Sequence, residues 1–164
     1  MRLIRLFATL LFAPVGLIAQ TPAARNDSLL ASIDRFLAAP DTNRALARAL
    51  VDSAQARADV QIDLRSQFLP WLCGSQKQTP ERQTFGGLLL TAFIAGNMRQ
   101  QLITGKSRDE SGAGLAAVLG VYRKIHGQQA AFSDPTLDKW LIADSLGRVP
   151  ALADSLSRAE STRC

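Results

Sequence analysis

One histidine, His126, stands in the whole sequence. A metal centre built on two imidazoles is therefore excluded, and Ser-His-acid catalysis would depend on that residue alone. The only cysteines, Cys73 and Cys164, are separated by more than half the chain, which is neither a redox nor a zinc spacing. No nucleophile elbow, Gly-rich phosphate loop or His-Glu helix motif occurs, so the residues imply no metal and no cofactor. Long apolar runs are scarce as well. The longest one past the N-terminus, Phe85 to Gly96, covers about a dozen residues, whereas a membrane span needs roughly 20. Clustered positive charge is also lacking: the net charge of +5 includes Arg2 and Arg5, and the other basic residues are scattered among acidic ones. That distribution argues against a nucleic-acid partner.

What is present begins with an export signal. Met1-Arg2-Leu3-Ile4-Arg5 is a short basic start, and Leu6 to Ile18 is apolar, interrupted by Pro14 and Gly16. Small residues follow at Ala19 and at Ala23-Ala24. This layout is that of a secretory signal peptide, residues 1–19, cut after Ala19 or alternatively after Ala23. The expected location is the periplasm or the extracellular space, with no transmembrane span in the mature chain. Removal of the leader leaves about 145 residues, enough for one domain. In an oxidising compartment Cys73 and Cys164 can form a disulfide, or Cys164 can remain free or pair between chains.

The stretch that organises the rest runs from Thr79 to Ile103. Thr79 offers a side-chain oxygen to the first turn, Pro80 suits the first helical position, and Glu81 complements the positive helix end. Phe85, Leu89 and Phe93 fall on one helical face and Leu90, Ile94, Met98 and Leu102 on another, which predicts a helix buried on nearly every side. After the loop Thr104-Gly105-Lys106, Ser107 with Glu110 forms a capping-box pattern, predicting a second helix over 107–126. So short a connection makes the two helices an antiparallel hairpin. Small residues recur every four positions on both, so the expected contacts are Gly96 on Gly112, Ala92 on Ala116 and Leu88 over Gly120.

Four further helices are expected around this hairpin. Residues 20–26 read as a flexible lead-in, and order is expected from Asn26. Leu29, Leu30, Ile33, Phe36 and Leu37 then give an amphipathic helix limited by Pro40. Asp41-Thr42-Asn43 offers caps for a shallower, peripheral helix carrying Leu46, Leu50, Ala47, Ala54 and Ala58. Val60-Gln61-Ile62-Asp63-Leu64 alternates like a strand, yet no second strand is in sight, so an extended or helical connector is favoured. It leads to a core plug, Phe68-Leu69-Pro70-Trp71-Leu72. Asp134-Pro135 starts another helix that Gly147 ends, and Val149-Pro150 opens a last one before the tail 160–164. The fold class is therefore all-α: a bundle of about six helices spanning 27–159.

Candidate site residues are few. Asn97, Arg99 and Gln101 continue the buried helix past Gly96, and with Tyr122 they could line a small polar pocket in which Arg99 meets an anion. His126, one turn beyond Tyr122, is the single candidate for catalysis. A buried asparagine that ties elements together and a histidine at a helix end are the structural alternatives. Asp109 and Glu110 are adjacent and read as helix capping, while Asp59 and Asp63 read as surface charges. These features favour a non-catalytic interaction or structural module of the cell envelope or extracellular space, with a protein partner. A carrier of a small apolar ligand or lipid, and an enzyme with a site near His126 or Asn97, are the alternatives.

Overall fold

The computed structural model describes residues 22–73, 79–128 and 133–159. The expected leader with its junction after Ala19, and Cys164, lie outside the described residues; Ala23 and Cys73 are described by their backbone alone. Within them the chain forms seven α-helices and a single 3-10 turn, with no strand. The helices are α1 (Pro22–Ala38), α2 (Arg44–Gln55), α3 (Pro70–Cys73), α4 (Pro80–Thr104), α5 (Ser111–Gln128), α6 (Pro135–Ser145) and α7 (Val149–Arg158); the 3-10 turn is Ser66–Phe68. The α4–α5 hairpin forms the centre. Helices α1 and α2 pack chiefly on α4, while α6 and α7 pack on α5.

Helix α4 starts as its sequence dictates. Thr79 is extended, its hydroxyl accepts a hydrogen bond from Arg82 N at 3.2 Å, and Pro80 follows. Its end is set by Gly105, which adopts φ +65° and donates its N–H to Gln101 O at 2.8 Å, a left-handed cap that glycine takes without Cβ strain. Between these ends Phe85, Leu88, Leu89, Ala92, Phe93, Ala95 and Met98 are buried. Neighbours thus surround the middle turns, and their apolar burial is the main source of the helix's stability.

The hairpin is antiparallel, but its register differs from the expected one. A Cβ on Gly96 would stand 2.5 Å from Ala117 Cβ and 2.6 Å from Ala113 O, and one on Gly114 would stand 2.8 Å from Phe93 O. A Cβ on Gly112 would instead stand 3.6 Å from Ala153 Cβ of α7, Ala116 is exposed, and one on Gly120 would meet nothing of another element within 4 Å. The cause is the start of α5. Ser107 does not cap it; the Glu110 carbonyl accepts from Ala113 N and Gly114 N, so the helix opens at Ser111. With α5 opening at Ser111, Ala113, Gly114 and Ala117 come to the contact in place of Gly112, Ala116 and Gly120.

The flanking elements follow their local chemistry. Helix α1 begins at Pro22, ahead of the expected start at Asn26, because proline suits a first turn and the alanines after it are strong helix formers. Ile33 and Phe36 are its fully buried residues. Asn43 precedes α2 without capping it; its Nδ2 donates back to Ala39 O at 2.9 Å, and Lys124 Nζ donates to Leu37 O at 2.6 Å. Both donors thereby serve orphan carbonyls at the end of α1. Helix α2 buries only Leu50 completely and stops at Gln55, before Ala58. The segment before the 3-10 turn has no regular structure, as the connector reading requires. Phe68, Leu69 and Trp71 plug the core, with Phe68 5.7 Å from the Phe93 ring and Trp71 Nε1 donating to Gly86 O at 3.3 Å. Leu72 departs from the plug and is exposed. Asp134 caps α6 by accepting from Thr136 N and Leu137 N, and Gly147 at φ +67° turns the chain into α7.

Candidate functional site

The polar residues that continue α4 past Gly96 are drawn together where the hairpin turns. Asn97 is fully buried: its Nδ2 donates to Asp109 Oδ1 at 2.6 Å, and its Oδ1 accepts from Gln101 Nε2 at 2.7 Å and from Glu110 N at 2.9 Å. Gln101 reaches across to the connector. Its Nε2 donates to Gln61 O at 2.6 Å and its Oε1 accepts from Gln61 N at 3.0 Å, so one side-chain amide pairs with a main chain as a neighbouring strand would. Asp109 Oδ1 also accepts from Asp63 N at 2.9 Å. The carboxylate therefore anchors the connector and Asn97, where capping of α5 was expected. Alternation at 60–64 without a partner strand is explained by these bonds. The cluster satisfies buried polar groups and fixes three segments to one another.

A second group forms where α5 meets the start of α6. Tyr122 is fully buried; its hydroxyl donates to Asp138 Oδ1 at 2.6 Å and accepts from Asp134 N at 2.9 Å. Ser133 Oγ donates to the other Asp138 oxygen at 2.8 Å, and Arg82 pairs with Asp134 at 3.4 Å, both largely buried. Burial, followed by the hydrogen bond to the Asp138 anion, pushes the tyrosine hydroxyl up to about 12. The same bond, as the largest cause, holds the Asp138 carboxyl below its usual range. His126 is half-buried beside them, its ring 5.5 Å from Tyr122 and its Nε2 3.8 Å from Asp138 Oδ1. That separation is an ion-pair distance, beyond a hydrogen bond.

The five candidate residues are thus not brought to one pocket. Asn97 and Gln101 share one network, Tyr122 and His126 share another, and Arg99 pairs with Asp34 of α1 at 2.7 Å on an exposed face. Glu110, bonded to Asn97, and Tyr122 are twelve positions apart along α5, or about 18 Å at the helical rise. Sequence reasoning missed Asp109, Gln61, Asp134 and Asp138 as members of these clusters, because their partners are remote in the chain. Among the described residues, no group of three or more His, Cys, Asp or Glu could hold a metal ion. No helix there is long and apolar enough to cross a membrane.

An apolar groove open to the surface lies between α2, the connector and α4. Val51, Ala54, Gln55, Val60, Ile62, Leu64 and Ile94 line an open groove of about 230 Å³, at whose edge Leu64 is 49% exposed. The narrow stripe of α2 and the alternation of 60–64 are the sequence signals that combine to make it. A larger, more polar cleft of about 500 Å³ lies between the start of α1 and residues 53–59; there Arg57 is bound to Asp59 through two nitrogens. That bond holds the Asp59 carboxyl below its ordinary value. No protein-family model, curated protein or solved structure matches the chain.

Proposed function

We propose that this is an exported, non-catalytic interaction or structural module that engages a protein partner in the cell envelope or extracellular space. The observation that carries the reading is the disposition of polar and apolar groups. Asn97, Gln101 and Tyr122, the buried side chains best placed to contact a ligand, each hold two or more bonds to remote parts of the chain. Apolar side chains, in contrast, open to the surface along the groove edged by Leu64. A contiguous apolar groove open at the surface supports a contact site. The N-terminal leader supports export, with the cut after Ala19.

A photoreactive residue at Leu64, with a control at the exposed Lys139 on α6, tests the reading in the protein-producing cells. The expected result is a covalent adduct with a polypeptide from the Leu64 position and none from Lys139. Absence of a polypeptide adduct at Leu64 contradicts it. A lipid or other small apolar adduct would instead favour the carrier reading, which the apolar lining of the groove supports, although about 230 Å³ is below the roughly 300–1,000 Å³ of most small-molecule pockets.

A further inference from the structure

The connector at residues 60–64 has one edge of its main chain satisfied and the other open. Gln61 engages the Gln101 side-chain amide through both its N–H and its C=O, at 3.0 and 2.6 Å, and the Asp63 N–H donates to Asp109 Oδ1 at 2.9 Å. Bonds made to one side by residues two apart are the pattern of a β-strand edge, where the residue between them turns its N–H and C=O the opposite way. Arg65, next in the chain, is extended at φ −84° and ψ 141°, and its Nη1 donates to Ser157 O at 3.2 Å. The stretch is thus held extended from both ends.

On the opposite edge, Ile62 and Leu64 make no main-chain hydrogen bond among the described residues, and Val60 offers only its C=O, its N–H being turned back to Arg57 O at 3.5 Å. Buried main-chain groups are nearly always paired, so these face solvent. No proline or lysine interrupts residues 58–69, so two of the usual devices that blunt an exposed strand edge are missing. We propose that this edge pairs with the same edge of a second copy of the chain, antiparallel and two-fold symmetric about Ile62. The proposal rests on the reading of this surface as a polypeptide contact, and it names the partner as the chain itself.

The stretch is complementary to itself in that register. Ile62 stands opposite Ile62 of the second copy and Val60 opposite its Leu64, so the pairs on the groove face are all apolar. On the other face Gln61 meets Asp63, amide to carboxylate, and at each end Asp59 meets Arg65, opposite in charge. A slip of two residues in either direction would set Asp59 against Asp63, or Asp63 against Asp63, and like charges directly opposite are unfavourable. Ile62 exchanges both of its main-chain bonds with Ile62 of the second copy, and the Leu64 N–H reaches Val60 O. Val60 of each copy then lies beside Leu64 of the other, covering a side chain that is 49% exposed in the single chain.

The test uses the full chain recovered from its producing cells, followed by sedimentation equilibrium and by NMR-resolved amide hydrogen exchange from about 1 μM to about 1 mM, the range in which a contact of small area forms. The expected result is a dimer that grows with concentration, in which exchange at Ile62 and Leu64 slows by about tenfold or more. Gln61 and Asp63, bonded within the chain, should be protected in monomer and dimer alike. Ile62→Pro removes the outward N–H and leaves the Gln61 bonds in place, so it should weaken the dimer by about tenfold or more while the cooperative melt persists. If that variant does not fold, the exchange pattern of the unaltered chain decides. A monomer throughout the range, a dimer in which Ile62 and Leu64 exchange freely, or a folded Ile62→Pro variant that dimerises like the parent would each overturn the proposal. A chain that stays monomeric yet gives an adduct with a different polypeptide from Leu64 ends this proposal and leaves the interaction reading standing, whereas no polypeptide adduct at all ends both.

Discussion

Substituting Gly96 by alanine is expected to destabilise the domain even though alanine is the better helix former. The new Cβ would lie 2.5 Å from Ala117 Cβ and 2.6 Å from Ala113 O. Ordinary contact begins near 3.5 Å, so α5 must retreat by about 1 Å, and a gap of that size forfeits a quarter to a half of each dispersion contact it opens. Overpacking of this kind costs about 1–3 kcal/mol, and the upper end applies because one obstacle is main-chain oxygen on a packed helix. Alanine's helix propensity returns about 1 kcal/mol. The net loss is about 2 kcal/mol, or roughly 6–8 °C in Tm for a domain of this size. Gly120→Ala is the matched control: nothing lies within 4 Å of its Cβ, so it keeps the propensity gain and should stabilise by up to about 1 kcal/mol. Urea denaturation of both variants, with the slope checked for two-state behaviour, measures the contrast. Gly96→Ala as stable as the parent, or both variants shifting in the same direction, would refute the packing argument.

Asn97→Ala should cost about 2–4 kcal/mol by denaturant melt, because it leaves Gln101, Asp109 and Glu110 N short of partners in a buried site. The single tyrosine makes Tyr122 directly observable: tyrosinate absorbance should appear only as pH approaches about 12 in the folded protein. Its folded value lies above the unfolded one near 10, so the unfolded chain loses the proton first. Stability from this group is full below about pH 10 and declines as pH rises through the folded value. On the acid side the sign reverses. Asp138 is held low by Tyr122, so its contribution is present above the ordinary carboxylate value and is lost as pH falls through the folded one. Tyr122→Phe should move the Asp138 titration, followed by NMR, upward. Arg99→Ala, which removes an exposed pair with Asp34, should change stability by less than about 1 kcal/mol.

Helix boundaries governed by local chemistry were legible in the sequence. Thr79-Pro80 and Asp134-Pro135 act within a few residues of themselves, and the structure uses them as caps. The all-round burial of α4 followed from apolar residues on several faces. Register was not legible in the same way. Ser107 and Glu110 match a capping box, but Asn97 takes the Glu110 N–H from across the hairpin, and that long-range bond displaced the local signal. The polar clusters escaped for the same reason: Gln61 with Gln101 and Tyr122 with Asp138 pair residues whose closeness arises only after the helices pack. Asn97 was correctly singled out as interior because helical spacing alone places it one turn beyond Phe93.

The central claim is that the buried polar residues hold the fold and that recognition of a protein partner falls to the surface. The mass of the natively recovered protein, compared with its mass after denaturation, addresses it most directly. The expected result is the polypeptide bound to another polypeptide, with no small molecule released on denaturation. A small molecule that travels with the folded chain and departs on unfolding would contradict it.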